Sequence, residues 1–279
     1  MNNLFLLLLT GLISTIATYI DKHLINKGIS RKDYFYYMCL SIIPFSLLTI
    51  IINYFTTGLK FKINIVCILL LLLAMIIRYF KQLAVAGIGK CLDPFENLAY
   101  LSTGIIFAYI IDIIIGAKKF AFINLISIIL TIIGVFLLSD IKLKNKKLQK
   151  DITIKIIGEL SLGYIAYYLL KYWSNAIYIL LLNLFLTLIF CKDYSISSYK
   201  KNSQIIKWVF IQQGFGYLYI YLYNYLSSFS VTTSSYIKPV TIIFAFIFAF
   251  FYKEQKRKPK IKDFLAIILI ATGVCLINR

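Results

Sequence analysis

The sequence predicts an all-α membrane protein with ten transmembrane helices arranged as two inverted five-helix repeats. Three observations lead there. The 279 residues are 61% hydrophobic with a mean hydropathy of +0.84, and apolar runs of about 20 residues follow one another along the chain. At 1.5 Å rise per residue such runs match a hydrocarbon core roughly 30 Å thick. The runs divide five and five around a lysine-rich stretch. Finally, sliding the sequence by 139 residues lays Leu92–Leu138 on Val231–Ile277 without a gap. Both copies have a long apolar run, a basic turn and a second run closing on Gly-Val (Gly134-Val135 and Gly273-Val274). An odd number of spans per half makes the second half enter the bilayer from the opposite side, which defines an inverted repeat.

In chain order, Leu4–Ile20 follows Met1-Asn2-Asn3 without a basic leader or a small-residue cleavage site, so it reads as a retained first helix. The next spans are Tyr34–Tyr54, Ile63–Phe80, Leu92–Ile115 and Phe120–Leu138, completing a first repeat over residues 1–140. Residues 141–153 form a basic linker carrying Lys142, Lys144, Lys146, Lys147 and Lys150. Ile154–Leu170, Asn175–Cys191, Ile205–Leu226, Val231–Tyr252 and Ile261–Ile277 make the second repeat over residues 154–279.

A net charge of +19 would point a soluble protein toward nucleic acid, but here the charges lie in short loops, where lysines meet anionic headgroups. Nucleic acid is therefore not expected as a partner; the lipid bilayer is. Loops after the odd-numbered spans hold 19 Lys and Arg, against 6 in the other loops and termini. The positive-inside rule then puts both termini outside a plasma membrane. His23 is the sole histidine, the five cysteines have no metal or redox spacing, and no P-loop is present. No metal, cofactor or enzymatic chemistry is expected.

Ionisable groups at bilayer depth normally face a cavity or a partner. In the fourth span Asp93, Glu96, Tyr100, Thr103 and Phe107 share a helical face, and the repeat offset maps them onto Thr232, Ser235, Pro239, Ile242 and Phe246. Glu96 reads either as a proton or cation site between the repeats, or as a surface acid capping the helix or pairing with Lys90. Arg78 could meet Glu96 across a hairpin or snorkel to headgroups beside Lys81. The eighth span carries Gln213, Tyr217, Tyr221 and Asn224 on one face, with Tyr219 and Tyr223 pointing elsewhere. The sixth adds Glu159 and Tyr164. Aromatic faces beside an acid suit an amine through cation–π attraction, although tyrosine is abundant throughout the chain. Lys238 precedes Pro239, and could bind an anionic group or neutralise Glu96 or Glu159.

These features make the chain resemble the EamA-type transporters of the drug/metabolite transporter superfamily. In that family each half closes with a helix holding a Pro, a turn bearing an acid, and a helix ending Gly-Val. The second half matches with Pro239-Val240, Glu254 and Gly273-Val274. The first half matches at Gly134-Val135 but has Tyr100 in place of the Pro and no acid in the turn. Tyr19–Tyr37, with Lys22, Gly28 and Asp33-Tyr34, is similar to the opening hairpin of such a half. Members usually have both termini in the cytoplasm, opposite to the charge count here.

The resemblance implies a secondary transporter and says nothing of its substrate; the leading expectation is alternating access to a small polar or amphiphilic metabolite, with amines and amino acids among the candidates. Proton coupling through Glu96 or Glu159 and plain facilitated exchange are both open. The alternatives are a flippase for a lipid-linked sugar or phosphate, and a non-transporting membrane assembly partner. The reading leaves room for a homodimer.

Overall fold

A computed structural model describes residues 3–25, 31–88, 94–138, 146–190, 196–251 and 260–277. Its helices are α1 (Asn3–Ile25), α2 (Arg31–Thr56), α3 (Ile65–Ile88), α4 (Pro94–Ser102), α5 (Gly104–Ile114), α6 (Phe122–Leu138), α7 (Lys146–Leu169), α8 (Asn175–Phe190), α9 (Ile196–Ser227), α10 (Val231–Ser235), α11 (Ile237–Phe251) and α12 (Ile261–Leu276). Among the described residues the only strand-like pairing is an isolated bridge between Phe61 and Trp173.

Among the described residues six segments are long and apolar enough to cross a membrane: Asn3–Ile20, Tyr34–Thr56, Ile65–Gln82, Asn97–Ile114, Leu148–Leu169 and Val231–Phe248. By this criterion the number is six, against the ten expected. The difference is physical. Helices α6, α8 and α12 hold only 17, 16 and 16 residues, so each reaches about 25 Å. Helix α9 is long but dilutes its apolar residues with lysines, glutamines and tyrosines. The architecture fits a multi-pass helical membrane protein.

Helix α7 begins at Lys146, inside the stretch expected to be a linker. Leu148, Ile152 and Ile156 recur every four residues between the lysines, and this stripe packs on Tyr100. Burial of that stripe draws the basic segment into the helix.

The fourth and ninth apolar runs are each interrupted at one residue. Thr103 separates α4 from α5, and its backbone N–H and side-chain hydroxyl both donate to the Tyr100 carbonyl, at 3.1 and 2.7 Å. Tyr236 separates α10 from α11, with its N–H donating to Thr233 O at 3.3 Å. Both interruptions tighten a turn from four residues to three. Pro239 was expected within a continuous span. It falls instead in the first turn of α11, where it has no N–H to offer the carbonyl of Ser235.

Among the described residues the most extensive helix pairing is α6 with α12, and glycine allows its close approach. A Cβ on Gly134 would stand 2.7 Å from Ala266 O, and one on Gly273 would stand 2.7 Å from Ser127 O. Ser127 Oγ donates to Gly273 O at 2.6 Å and accepts from the Tyr236 hydroxyl at 2.6 Å. Other principal pairs are α3 with α7, α1 with α9, and α2 with α8. Helices α10 and α11 lie inside, against α5, α4 and α1. Leucines, isoleucines and phenylalanines of α2 and α3, such as Leu48, Phe55, Ile65 and Leu69, point outward.

Candidate functional site

Three helices bring charge together at one place. Glu159 sits midway along α7, on the same face as Lys155 and Gly163. Lys238 lies in the first turn of α11, and its Nζ is 3.3 Å from each Glu159 carboxylate oxygen. Lys81 reaches across from α3, its Nζ 3.7 Å from Glu159 Oε1. Gly158 allows this approach: a Cβ there would meet Lys81 Cβ at 3.2 Å. The three side chains are 11% (Lys238), 16% (Glu159) and 22% (Lys81) exposed.

Helix α9 completes the cluster. Lys238 Nζ donates to the Tyr219 hydroxyl at 3.0 Å, while it stands 5.4 Å from that ring's centroid. The ammonium therefore meets the hydroxyl and not the face of the ring. The Tyr223 hydroxyl donates to the Glu159 backbone carbonyl at 3.2 Å. One turn away on α7, Lys155 donates to Asn97 Oδ1 of α4 at 3.2 Å. A small pocket opens beside the ion cluster, lined by Leu101, Gly104, Ile156, Glu159, Tyr223 and Lys238. Ser235, whose carbonyl gets no N–H from Pro239, also borders it. Both interrupted spans thus contribute to its wall.

A second polar knot lies further along the same seam. Asp112 of α5 is fully buried, and its Oδ2 accepts from Ser230 Oγ (2.7 Å), Thr232 N (2.8 Å) and Thr232 Oγ1 (2.7 Å). The Tyr164 hydroxyl shares its proton between Asp112 Oδ1 at 3.1 Å and Ala108 O at 2.9 Å. Asp112 therefore ties α5 and α7 to the start of α10, whose N-cap is Ser230. In the turn after α5, Gly116 takes the left-handed conformation (φ 71°) that ends the helix, and the Lys118 N–H returns to the Asp112 carbonyl at 3.1 Å. Burial holds Lys118 below the usual lysine range, and the Asp112 carboxylate opposes that shift.

The remaining residues singled out from the sequence fall in different places. Glu96 is on the first turn of α4, but its side chain lies outside the described residues, as does Asp93 entirely. Tyr100 is buried against Leu148 and Ile152. Arg78 is half-buried on α3, close enough to Cys39 and Tyr178 for its charge to act on both.

The face of α9 chosen from the sequence points away from the ion cluster. Tyr217 stacks on Phe45 of α2 at 6.1 Å between centroids and contacts Tyr221 at 6.0 Å. Gln213 is buried beside Gln212, and Asn224 donates to Asn175 Oδ1 of α8 at 3.0 Å. That face is taken by packing on α2 and α8. The tyrosines beside the charge are Tyr219 and Tyr223, on the face set aside. Asp112 was not singled out either. Its signal was available: one acid in the otherwise apolar run Ile110–Ile115.

Among the described residues no three His, Cys, Asp or Glu side chains converge as a metal site would require. Comparison with protein-family models and with curated proteins found no match.

Proposed function

We propose that this chain is a secondary transporter of the plasma membrane, of the EamA type, in which two inverted halves move against each other around the Glu159–Lys238 cluster. The observation that carries this reading is the meeting of two interrupted spans, one from each half, at buried charges and a pocket. Interrupted helices that converge on charge in this way form the substrate sites of many secondary transporters.

The packing supports the inverted repeat. Gly134 abuts Ala266 and Ile270, while Gly273 abuts Ser127 and Thr131. Shifting Ser127 and Thr131 by 139 residues gives Ala266 and Ile270, so the two sets of contacts exchange. The same shift carries α3 onto α9 and most of α7 back onto α1, exchanging the pairs α3–α7 and α1–α9. A two-fold relation between halves requires such exchange.

In this reading the Lys81–Glu159 and Asp112–Ser230 contacts, both between halves, hold the present state and must loosen when the halves rock. Alternating access is tested by placing a cysteine at Ser235 in a chain whose five native cysteines are replaced by alanine. Sealed vesicles of both orientations are then exposed to an impermeant thiol reagent. Labelling from each side in turn is expected. Labelling from one side only, under every condition, would sink the transporter and leave the assembly-partner reading.

A further inference from the structure

We infer that the pocket between α4–α5 and α11 receives the anionic head of an amphiphilic substrate, a carboxylate or phosphate ester, and that Lys238 is the residue that takes it. The inference rests on reading this seam as a substrate site and names the class of ligand it would hold.

Charge balance is the first argument. Lys238 and Lys81 converge on one carboxylate, and among the described residues Glu159 is the only acid that either lysine touches. These three partly buried groups, 11–22% exposed, together carry one positive charge in excess, which an anion entering beside them would balance. A cationic substrate would worsen the imbalance, since both Glu159 oxygens already face Lys238.

Geometry is the second. Lys238 sits at the pocket wall, whereas Lys81, which reaches Glu159 Oε1 from α3, does not border the pocket. An entering anion can therefore take Lys238 while Glu159 keeps Lys81. This exchange of partners leaves no charge unpaired for a singly charged head. The Tyr219 hydroxyl, already at 3.0 Å from Lys238 Nζ, can turn its proton to the same anion. Leu101, Ile156 and Leu160 give the wall an aliphatic part beside Tyr223 and Ser235; the space enclosed, about 10 Å³, is that of one water, so a ligand enters only as α4–α5 and α11 part.

The test is thermal unfolding of the purified full chain in an uncharged detergent, titrated with hexanoate, butyl phosphate, farnesyl phosphate and butylamine. A ligand that prefers the folded protein raises its melting temperature with concentration. Hexanoate or butyl phosphate should stabilise the wild type and Lys238→Arg. Lys238→Gln should weaken them roughly tenfold or more, and Lys81→Gln by less. Glu159→Gln should tighten them, because the competing carboxylate is gone.

That last sign keeps the test decisive even where Lys238→Gln does not fold. Stabilisation by farnesyl phosphate alone would uphold the anion site and assign its occupant to lipid-linked phosphates. Stabilisation by butylamine that Glu159→Gln abolishes would overturn the inference, as would no response to any anion in wild type and Glu159→Gln. Failure here with two-sided labelling of Ser235→Cys removes the anion site only. Anion binding with one-sided labelling removes transport only.

Discussion

Asp112 and Glu159 are both carboxylates buried in the same seam, yet the protein treats them in opposite ways. Asp112 is fully enclosed and collects four hydrogen bonds from neutral donors, with no lysine or arginine in an ion pair with it among the described residues. Glu159 faces a pocket and shares its charge between two lysines at 3.3 and 3.7 Å. A carboxylate saturated by short hydrogen bonds has no reason to change partner, so Asp112 acts as a clasp between α5 and α10. A carboxylate shared between two cations at the edge of a pocket can release one of them. Burial alone does not distinguish these two acids; the chemistry of their partners does.

The sharpest way to break the comparison is Asp112→Ala. It strands the Ser230 hydroxyl and both Thr232 donors in a dry interior, and should cost ~3 kcal/mol or more in stability, read as a large fall in melting temperature. Asp112→Asn, which keeps an acceptor oxygen, should recover much of that loss. If both variants melt like the wild type, Asp112 is not a clasp.

Next in size is Gly273→Val. Its branched side chain would collide with Ser127 O, which lies 2.7 Å from the position of a Cβ, and should cost ~2 kcal/mol through forced separation of α6 and α12. Retained stability would mean that the two helices have room that their close approach denies.

Glu159→Gln should be milder than Asp112→Ala, about 1.5 kcal/mol, because the lysines it releases are 11% and 22% exposed and can reach water. A loss larger than that of Asp112→Ala would reverse the roles assigned to the two acids. Smallest is Tyr223→Phe, which deletes one hydrogen bond to the Glu159 carbonyl and should cost ~0.6 kcal/mol. A double-mutant cycle with Glu159→Gln measures whether that tyrosine also senses the carboxylate.

Much of the helical layout was legible in the residues. Each apolar run became a helix or an interrupted pair, because backbone groups in an apolar setting must satisfy one another within the helix. The Gly-Val closings could also be found by eye, and they mark the α6–α12 contact. The start of α7 was not legible, since Leu148 and Ile152 look like isolated apolar residues among lysines until Tyr100 lies across them.

The candidate site divides along the same line. By itself the sequence determined that Glu159 and Lys238 are ionisable groups deep in apolar runs, and that such groups need partners. Only the tertiary structure decided that they find each other, 79 residues apart, with Lys81 of α3 as the third member. It also decided which side of α9 meets them. Periodicity places Tyr217 and Tyr221 on one face and keeps Tyr219 and Tyr223 off it, but it cannot say which side neighbouring helices will cover. Helices α2 and α8 covered the first. The physical reason is that a helical repeat fixes angles about one axis, while the direction of a pocket depends on how several axes pack.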